Sequence, residues 1–305
     1  MPAQVRVFAP GSIGNLGPGL DILGLAIDGA GDVVTAERSG PGVVIEEPGH
    51  PALPRDPSRH SSGIAALAVL RMAGADFGVR LRVEKGLPLA GGQGGSAASA
   101  VAGAVAANLL LDAPLPSPAL LQAALEAETV VAGPHADNIA PILLGGLVLI
   151  RATHPLEVVR LPVPPGLCLV LAHPDRSLST REGRALLPET VTREVAIHQA
   201  AQVAAIVAAA ASGDLALLGR AIDDRIAEPA RAPALPGFLA CKAAALEAGA
   251  LGCSISGSGP TAFALVPDEE SGGRVARAME QAYRALGIGC TTRLVHPDLA
   301  GARAL

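Results

Sequence analysis

Apolar positions follow two spacings along this chain. Short runs of β-branched and aromatic residues predict strands over residues 5–9, led by Val5, Val7 and Phe8, and over residues 22–27, 33–37 and 79–84. Longer stretches recur at helical spacing. They begin near Ser61 and Ser62, after Gly95 with Ser96 close to the start, and at Ser117-Pro118, where proline follows a capping serine as the first helical position favours. The pattern loosens over 152–165, and its proline cluster places a domain junction near residue 155, dividing the chain into 1–155 and 156–305. Further on, residues 167–172 read as a buried strand. Residues 192–211 read as a long Ala-rich helix stopped by Ser212-Gly213, with another helical stretch from Asp214. Strands over 261–266 and 291–295 flank a helix over 269–286, so both halves mix α and β.

Composition narrows the classes. The 305 residues are 50% hydrophobic, enough for two sizeable cores. With four Phe, one Tyr and no Trp, those cores must be packed from Ala, Leu, Val and Ile. Ala-rich helices suit an internal core or a homodimer interface equally, and the pattern leaves both open. A formal net charge of -5 without a basic run argues against nucleic acid or an anionic membrane as partner. The opening residues lack the basic end and apolar core of a signal peptide, and the longest apolar run, near 97–111, is too short to cross a bilayer, so the expected compartment is the cytoplasm. The four cysteines show no C-x-x-C spacing and the seven histidines no i, i+4 pair; core thiols and no His-built metal site are expected.

Three glycine-rich segments carry the chemistry. In residues 5–27, Gly11, Gly14, Gly17, Pro18 and Gly19 predict an irregular loop between two strands, with Asp21 beyond it. The second segment, over 86–111, opens a helix, and the third spans 252–265. Backbone N–H groups at a helix start hold phosphate well, and phosphoryl transfer asks mainly for positioning and charge stabilisation. The second loop lacks the lysine of a Walker-type P-loop. Gly92, Gly94 and Ala97 formally fit G-x-G-x-x-A with Asp112 downstream, a dinucleotide-binding pattern. Its context is wrong, because KGLPLA separates Glu84 from Gly91 and Asp112 follows a helix.

Taken together and in order, PGSIGNLGPGLDILGLA, HADNIAPILLGGLVL, LSTREGRALLP and SGSGPTAFAL resemble the GHMP small-molecule kinases, most closely those acting on homoserine. The resemblance implies an α+β fold of two domains, the first like ribosomal protein S5 domain 2 and the second ferredoxin-like, with the active site between them. It also implies ATP and Mg2+, and direct transfer of the γ-phosphate to L-homoserine, giving O-phospho-L-homoserine on the way to threonine. Another GHMP kinase activity and a catalytically silent nucleotide-binding relative are the alternatives. The ATP loop would comprise Pro88, Leu89, Ala90, Gly91, Gly92, Gln93, Gly94, Gly95, Ser96, Ala97 and Ala98. It departs from the family's G-L-G-S-S-A-A, with Gln93 in place of Leu and Gly95 in place of the first Ser.

By the same resemblance, Ser96 and Glu128 would hold the metal, with Glu126 near enough to compete. Homoserine offers an ammonium, a carboxylate and a hydroxyl, so its site needs an acid, arginines and an amide. The corresponding positions are Asp21 for the ammonium, Arg184 and Arg231 for the carboxylate, and Asn15 near the hydroxyl, with Asn138 and Thr180 alongside. Arg181 and Arg225 lie close enough to exchange register with that pair. Asn15, His135 and Asn138 are the catalytic candidates, His135 orienting the HADN segment. Asp137 resembles the neighbour of the catalytic acid in mevalonate-type relatives, and no side chain is assigned as general base.

Overall fold

A computed structural model describes residues 3–305 as two antiparallel-rich sheets packed face to face and covered on their outer sides by helices. In chain order the first sheet and its helices comprise β1 (Gln4–Gly14), β2 (Leu23–Ser39), β3 (Val43–Glu47), α1 (Ser61–Ala73), β4 (Gly78–Glu84), α2 (Gly95–Leu109), α3 (Ser117–Val131), α4 (Ile139–Leu144), β5 (Leu147–Thr153) and β6 (Leu156–Leu161). The second sheet and its helices follow with β7 (Cys168–Pro174), α5 (Thr180–Ala185), α6 (Arg193–Ser212), α7 (Leu215–Arg220), α8 (Ala227–Arg231), α9 (Phe238–Glu247), β8 (Gly252–Ile255), β9 (Ala262–Val266), α10 (Glu269–Arg284) and β10 (Cys290–Val295), after which β11 (Arg303–Ala304) returns to the large sheet beside β1. The large sheet runs β11-β1-β2-β4-β3, with β5 and β6 added beside the start of β2; the small one runs β10-β7-β9-β8.

Strand alternation builds the layers. On β7, Leu169 and Leu171 face the core between the sheets, where they meet Leu23, Leu25 and Ile27 of β2, while Cys168, Val170 and Ala172 face the core under α9 and α10. The third core lies between the large sheet and α1 to α4, and alanine dominates it. That composition has a geometric cause: a Cβ on Gly103 of α2 would stand 2.5 Å from the Ser62 carbonyl of α1, so only small residues let these helices approach so closely. The alanines of α2 thus fill an internal core.

Several expectations need correction. The two strands expected over 22–27 and 33–37 are parts of one 17-residue strand, β2. The glycine loop expected from Gly11 begins later, because β1 continues through Gly14 after a register shift at Pro10/Gly11. Gly14 belongs there for space: a Cβ would lie 2.5 Å from Asp137 Oδ2. Residue 155 falls in the turn between β5 and β6, so the large sheet continues to Leu161 and passage to the second sheet occurs over 162–167. The 20-residue α6 is long and apolar enough to cross a membrane, which a search for uninterrupted apolar runs overlooks. Here Ile206, Ala209 and Ala210 of α6 pack into the inter-sheet core, and its buried Gln199 donates to Pro18 O and Asp224 Oδ1, both at 2.8 Å. Cys168, Cys241 and Cys253 are buried, and burial pushes the Cys241 thiol up to about 12.

Candidate active site

The three glycine-rich segments and the HADN segment converge on one cavity of about 340 Å³ at the junction of the two halves. One bank of it is backbone. Ala90, Gly92 and Gly94 have positive φ (50°, 73° and 71°), producing the alternating conformation that turns successive N–H groups toward a common centre. Only glycine fits at two of these: a Cβ on Gly92 would lie 2.5 Å from Ser256 O, and one on Gly94 2.2 Å from Ser12 Oγ. Gly94 then caps α2 without a side-chain hydrogen bond, leaving the first turn's N–H groups open toward the cavity. Pro88, Leu89, Ala90, Gly91, Gly92, Gly94, Gly95 and Ser96 line it. Gln93, Ala97 and Ala98 do not; they are buried away from it, and the Ala98 N–H is already bonded to Gly94 O at 2.8 Å.

Beneath that bank sit buried acids. Ser96 Oγ donates to Glu128 Oε1 at 3.1 Å, whereas Glu128 Oε2 has no partner although it is sealed from solvent. Burial pushes the Glu128 carboxyl up to about 7, the Ser96 hydrogen bond opposing and the nearby Asp137 reinforcing the rise. Asp137 is likewise pushed up to about 7, by burial first and then by Asp21, against the stabilising N–H of Asn15 at 3.1 Å. Glu126, the competing acid, turns to the surface and pairs with Arg71 at 2.7 Å.

The other bank is made of side chains. A bidentate ion pair joins Asp21, itself at φ 64°, to Arg184 of α5, and His135 Nδ1 stands 3.4 Å from Asp21 Oδ1. Burial lowers the His135 pKa, with Arg184 and Arg231 adding to the effect and Asp21 opposing it, so the imidazole is neutral at pH 7. Arg231 is 3% exposed and anchored by carbonyls: its Nε donates to Gly183 O at 3.0 Å and its Nη1 to Gly257 O at 2.9 Å. Asn15 is fixed on both sides, donating through Nδ2 to Gly257 O at 3.0 Å and accepting from Asp21 N at 3.0 Å. The Ser12 hydroxyl donates to Asn138 Oδ1 at 2.8 Å, which leaves the Asn138 amide nitrogen free to donate. Thr180 and Arg181 also line the cavity; Arg225 lies outside it, 3.7 Å from Asp223.

Lys85 is the residue that motif reading missed. Its Nζ donates to Asp32, to Gly95 O at 2.8 Å and to Ser99 Oγ at 3.0 Å, while Asp32 Oδ1 accepts from Gly86 N and Leu87 N at 3.2 and 3.3 Å. This buried pair ties the base of the glycine loop to β2. A signal existed: the chain has 23 Lys and Arg residues but only two lysines, Lys85 and Lys242, and each pairs with a buried acid. The dinucleotide alternative fails structurally, since ten residues separate the end of β4 at Glu84 from the start of α2 at Gly95, and Asp112 is an exposed partner of Arg38 at 2.5 Å.

Comparison with known proteins agrees with this geometry. Residues 61–146 match the GHMP kinases N terminal domain and residues 206–285 the GHMP kinases C terminal domain. The chain is 45% identical over 294 residues to homoserine kinase of Arabidopsis thaliana, covering 93% of this chain and 80% of that protein. It is 42% identical over 296 residues to homoserine kinase of Chlorobium phaeobacteroides strain BS1, covering 92% of each. The crystal structure of homoserine kinase from Cytophaga hutchinsonii superposes with a TM-score of 0.96 at 39% identity, covering 100% of this chain and 98% of that one. The chain is therefore a member of the GHMP kinase family, within its homoserine kinase branch.

Proposed function

We propose that this chain transfers the γ-phosphoryl group of ATP to the hydroxyl of L-homoserine, with Mg2+ at Glu128. The observation that carries the reading is the pairing of two banks in one cavity: open N–H groups over a buried acid on one side, an acid with two arginines on the other. The N–H groups of the glycine loop bind the ATP phosphates, in line with the α2 dipole. Glu128 and Ser96 suit a magnesium ion, because the unpartnered Oε2 is a buried oxygen needing a positive partner and hard cations take oxygen ligands. When bound, the ion neutralises charge on the phosphate oxygens.

Homoserine enters by exchanging partners. Its ammonium takes the place of Arg184 beside Asp21, and its carboxylate takes the guanidinium groups of Arg184 and Arg231. Asn138, held by Ser12 so that its amide nitrogen donates, meets the hydroxyl, and Asn15 keeps the loop in register through Gly257 and Asp21. His135 stays neutral and orients Asp21. These residues act by positioning a nucleophile against stabilised phosphates, and no side chain has to serve as base.

The test is ADP release with Mg-ATP and L-homoserine, L-serine, mevalonate, shikimate or no acceptor at matched enzyme concentration. Turnover confined to L-homoserine is expected. Turnover on mevalonate or shikimate alone would discard the roles given to Asp21, Arg184 and Arg231, and ATP binding without turnover on any acceptor would favour a silent module.

A further inference from the structure

We propose that Gln93 is a positioning residue for the phosphate loop, latching it to the C-terminal sheet through Thr261 and Arg293, so that nucleotide affinity depends on side chains that never touch nucleotide. The proposal rests on the reading of this loop as the ATP-phosphate site. Gln93 stands in the middle of the loop yet turns away from the cavity and is 5% exposed. Its Oε1 accepts from Arg293 Nη2 of β10 at 2.9 Å, and its Nε2 donates to Thr261 Oγ1, just before β9, at 3.2 Å. Thr261 is a hub. It donates its single proton to Gly91 O at 2.5 Å, so the His173 Nδ1 standing 2.9 Å away must donate to it.

The latch aims the loop. Thr261 holds Gly91 O, Ser256 Oγ holds Gly92 O at 2.6 Å, and Ser12 N holds Gln93 O at 3.2 Å. In a trans peptide the N–H points opposite to the C=O. Fixing three consecutive carbonyls therefore fixes the N–H directions of Gly92, Gln93 and Gly94, and none of these donors has an acceptor among the described residues. The partners lie 168 and 200 residues away in sequence, so the N-terminal loop is oriented by the C-terminal half. A leucine at 93 has similar volume but would leave Thr261 without one donor and Arg293 without its acceptor.

The experiment compares wild type, Gln93→Leu, Thr261→Val and the double variant, reading Mg-ATP binding by calorimetry together with KM for ATP and for L-homoserine. Each single variant should weaken Mg-ATP binding about five- to tenfold, the size of one neutral hydrogen bond, with the homoserine KM within about twofold of wild type. The two changes share the Gln93–Thr261 bond, whereas Gln93→Leu alone also releases Arg293 and Thr261→Val alone also releases Gly91 O and His173, so the double variant should fall short of the product of the two single effects. Arg293→Met approaches Gln93 from outside the loop and should weaken Mg-ATP binding about two- to threefold, which keeps the test open if Gln93→Leu fails to fold. Wild-type binding with unchanged binding by Gln93→Leu overturns the latch alone. Effects that multiply in the double variant, or both KM values rising together with a lowered Tm, overturn it too. Failure of the wild type to bind Mg-ATP overturns both the latch and the reading of the loop.

Discussion

The two banks of the cavity solve different problems with different materials. The phosphate bank is built from backbone: positive-φ turns, an uncapped helix start and carbonyls tied back from behind, with a single orphaned carboxylate oxygen beneath. The amino-acid bank is built from charged side chains drawn from both halves, and among the described residues its acid and one of its arginines pair with each other. The first bank presents donors already aimed, so binding requires little rearrangement. On the proposed reading the second exchanges one ion pair for two, which would let it discriminate by demanding both charges on the substrate.

The largest effect that would break this contrast concerns Glu128. Glu128→Gln should lower turnover roughly a hundredfold or more, as loss of the acid held for the metal would. Measured alongside, pH dependence sharpens the point. In the free protein Glu128 keeps its proton to about pH 7, whereas the unfolded chain releases it near 4.5. The unfolded state therefore binds fewer protons between those values, and stability falls as pH rises through that window by up to about 3 kcal/mol, then levels off. Melting curves from pH 4.5 to 8 should show that decline in wild type and a shallower one in Glu128→Gln. Apparent Mg2+ affinity should rise from pH 6 to 8, because the proton must leave before the metal can bind. A variant with near-normal turnover and an unchanged melting profile would remove Glu128 from the site.

Next in size is Arg231→Ala. Removing a buried guanidinium should raise the homoserine KM roughly 30- to 100-fold while leaving the ATP KM within about twofold. Equal rises in both would show that the banks are mechanically one. The smallest expected effect is Gly95→Ser, which restores the family's hydroxyl. Its Cβ would stand 3.3 Å from Pro88 O and 3.6 Å from Lys85 Nζ, a position that accepts it with a slight shift. The ATP KM should change by less than about threefold and Tm should rise slightly, since serine loses less backbone freedom than glycine in a helix. A tenfold gain in ATP affinity would mean that the backbone bank alone is insufficient.

The same division explains what could be read in advance. The glycine loop was legible because its function resides in local backbone conformation, and glycine, proline and the helix that follows leave a contiguous signature. The long helices and the central runs of most strands were legible for the same reason, whereas the edge strands β3 and β6 were not: VVIEE and LEVVRL are too short, and mix apolar with charged positions too irregularly, to show a period of their own. Lys85 escaped because no local pattern distinguishes a lysine under a phosphate loop from one on the surface.

By itself the sequence determined the mixed α and β content, the need to pack the cores with small and aliphatic residues, and the glycine loop, all of which follow from residue type and near-neighbour spacing, while only the tertiary structure decided that the alanines of α2 fill an internal core. Tertiary structure alone separated Glu128 from Glu126 in space, since their positions two residues apart on α3 send one into the cavity and the other to Arg71 at the surface. It also decided that Asp21 meets Arg184 across 163 positions and that Gln93 meets Thr261 across 168. Contacts of that span depend on how sheets stack and which strand faces which core, and no local propensity encodes a partner so far along the chain.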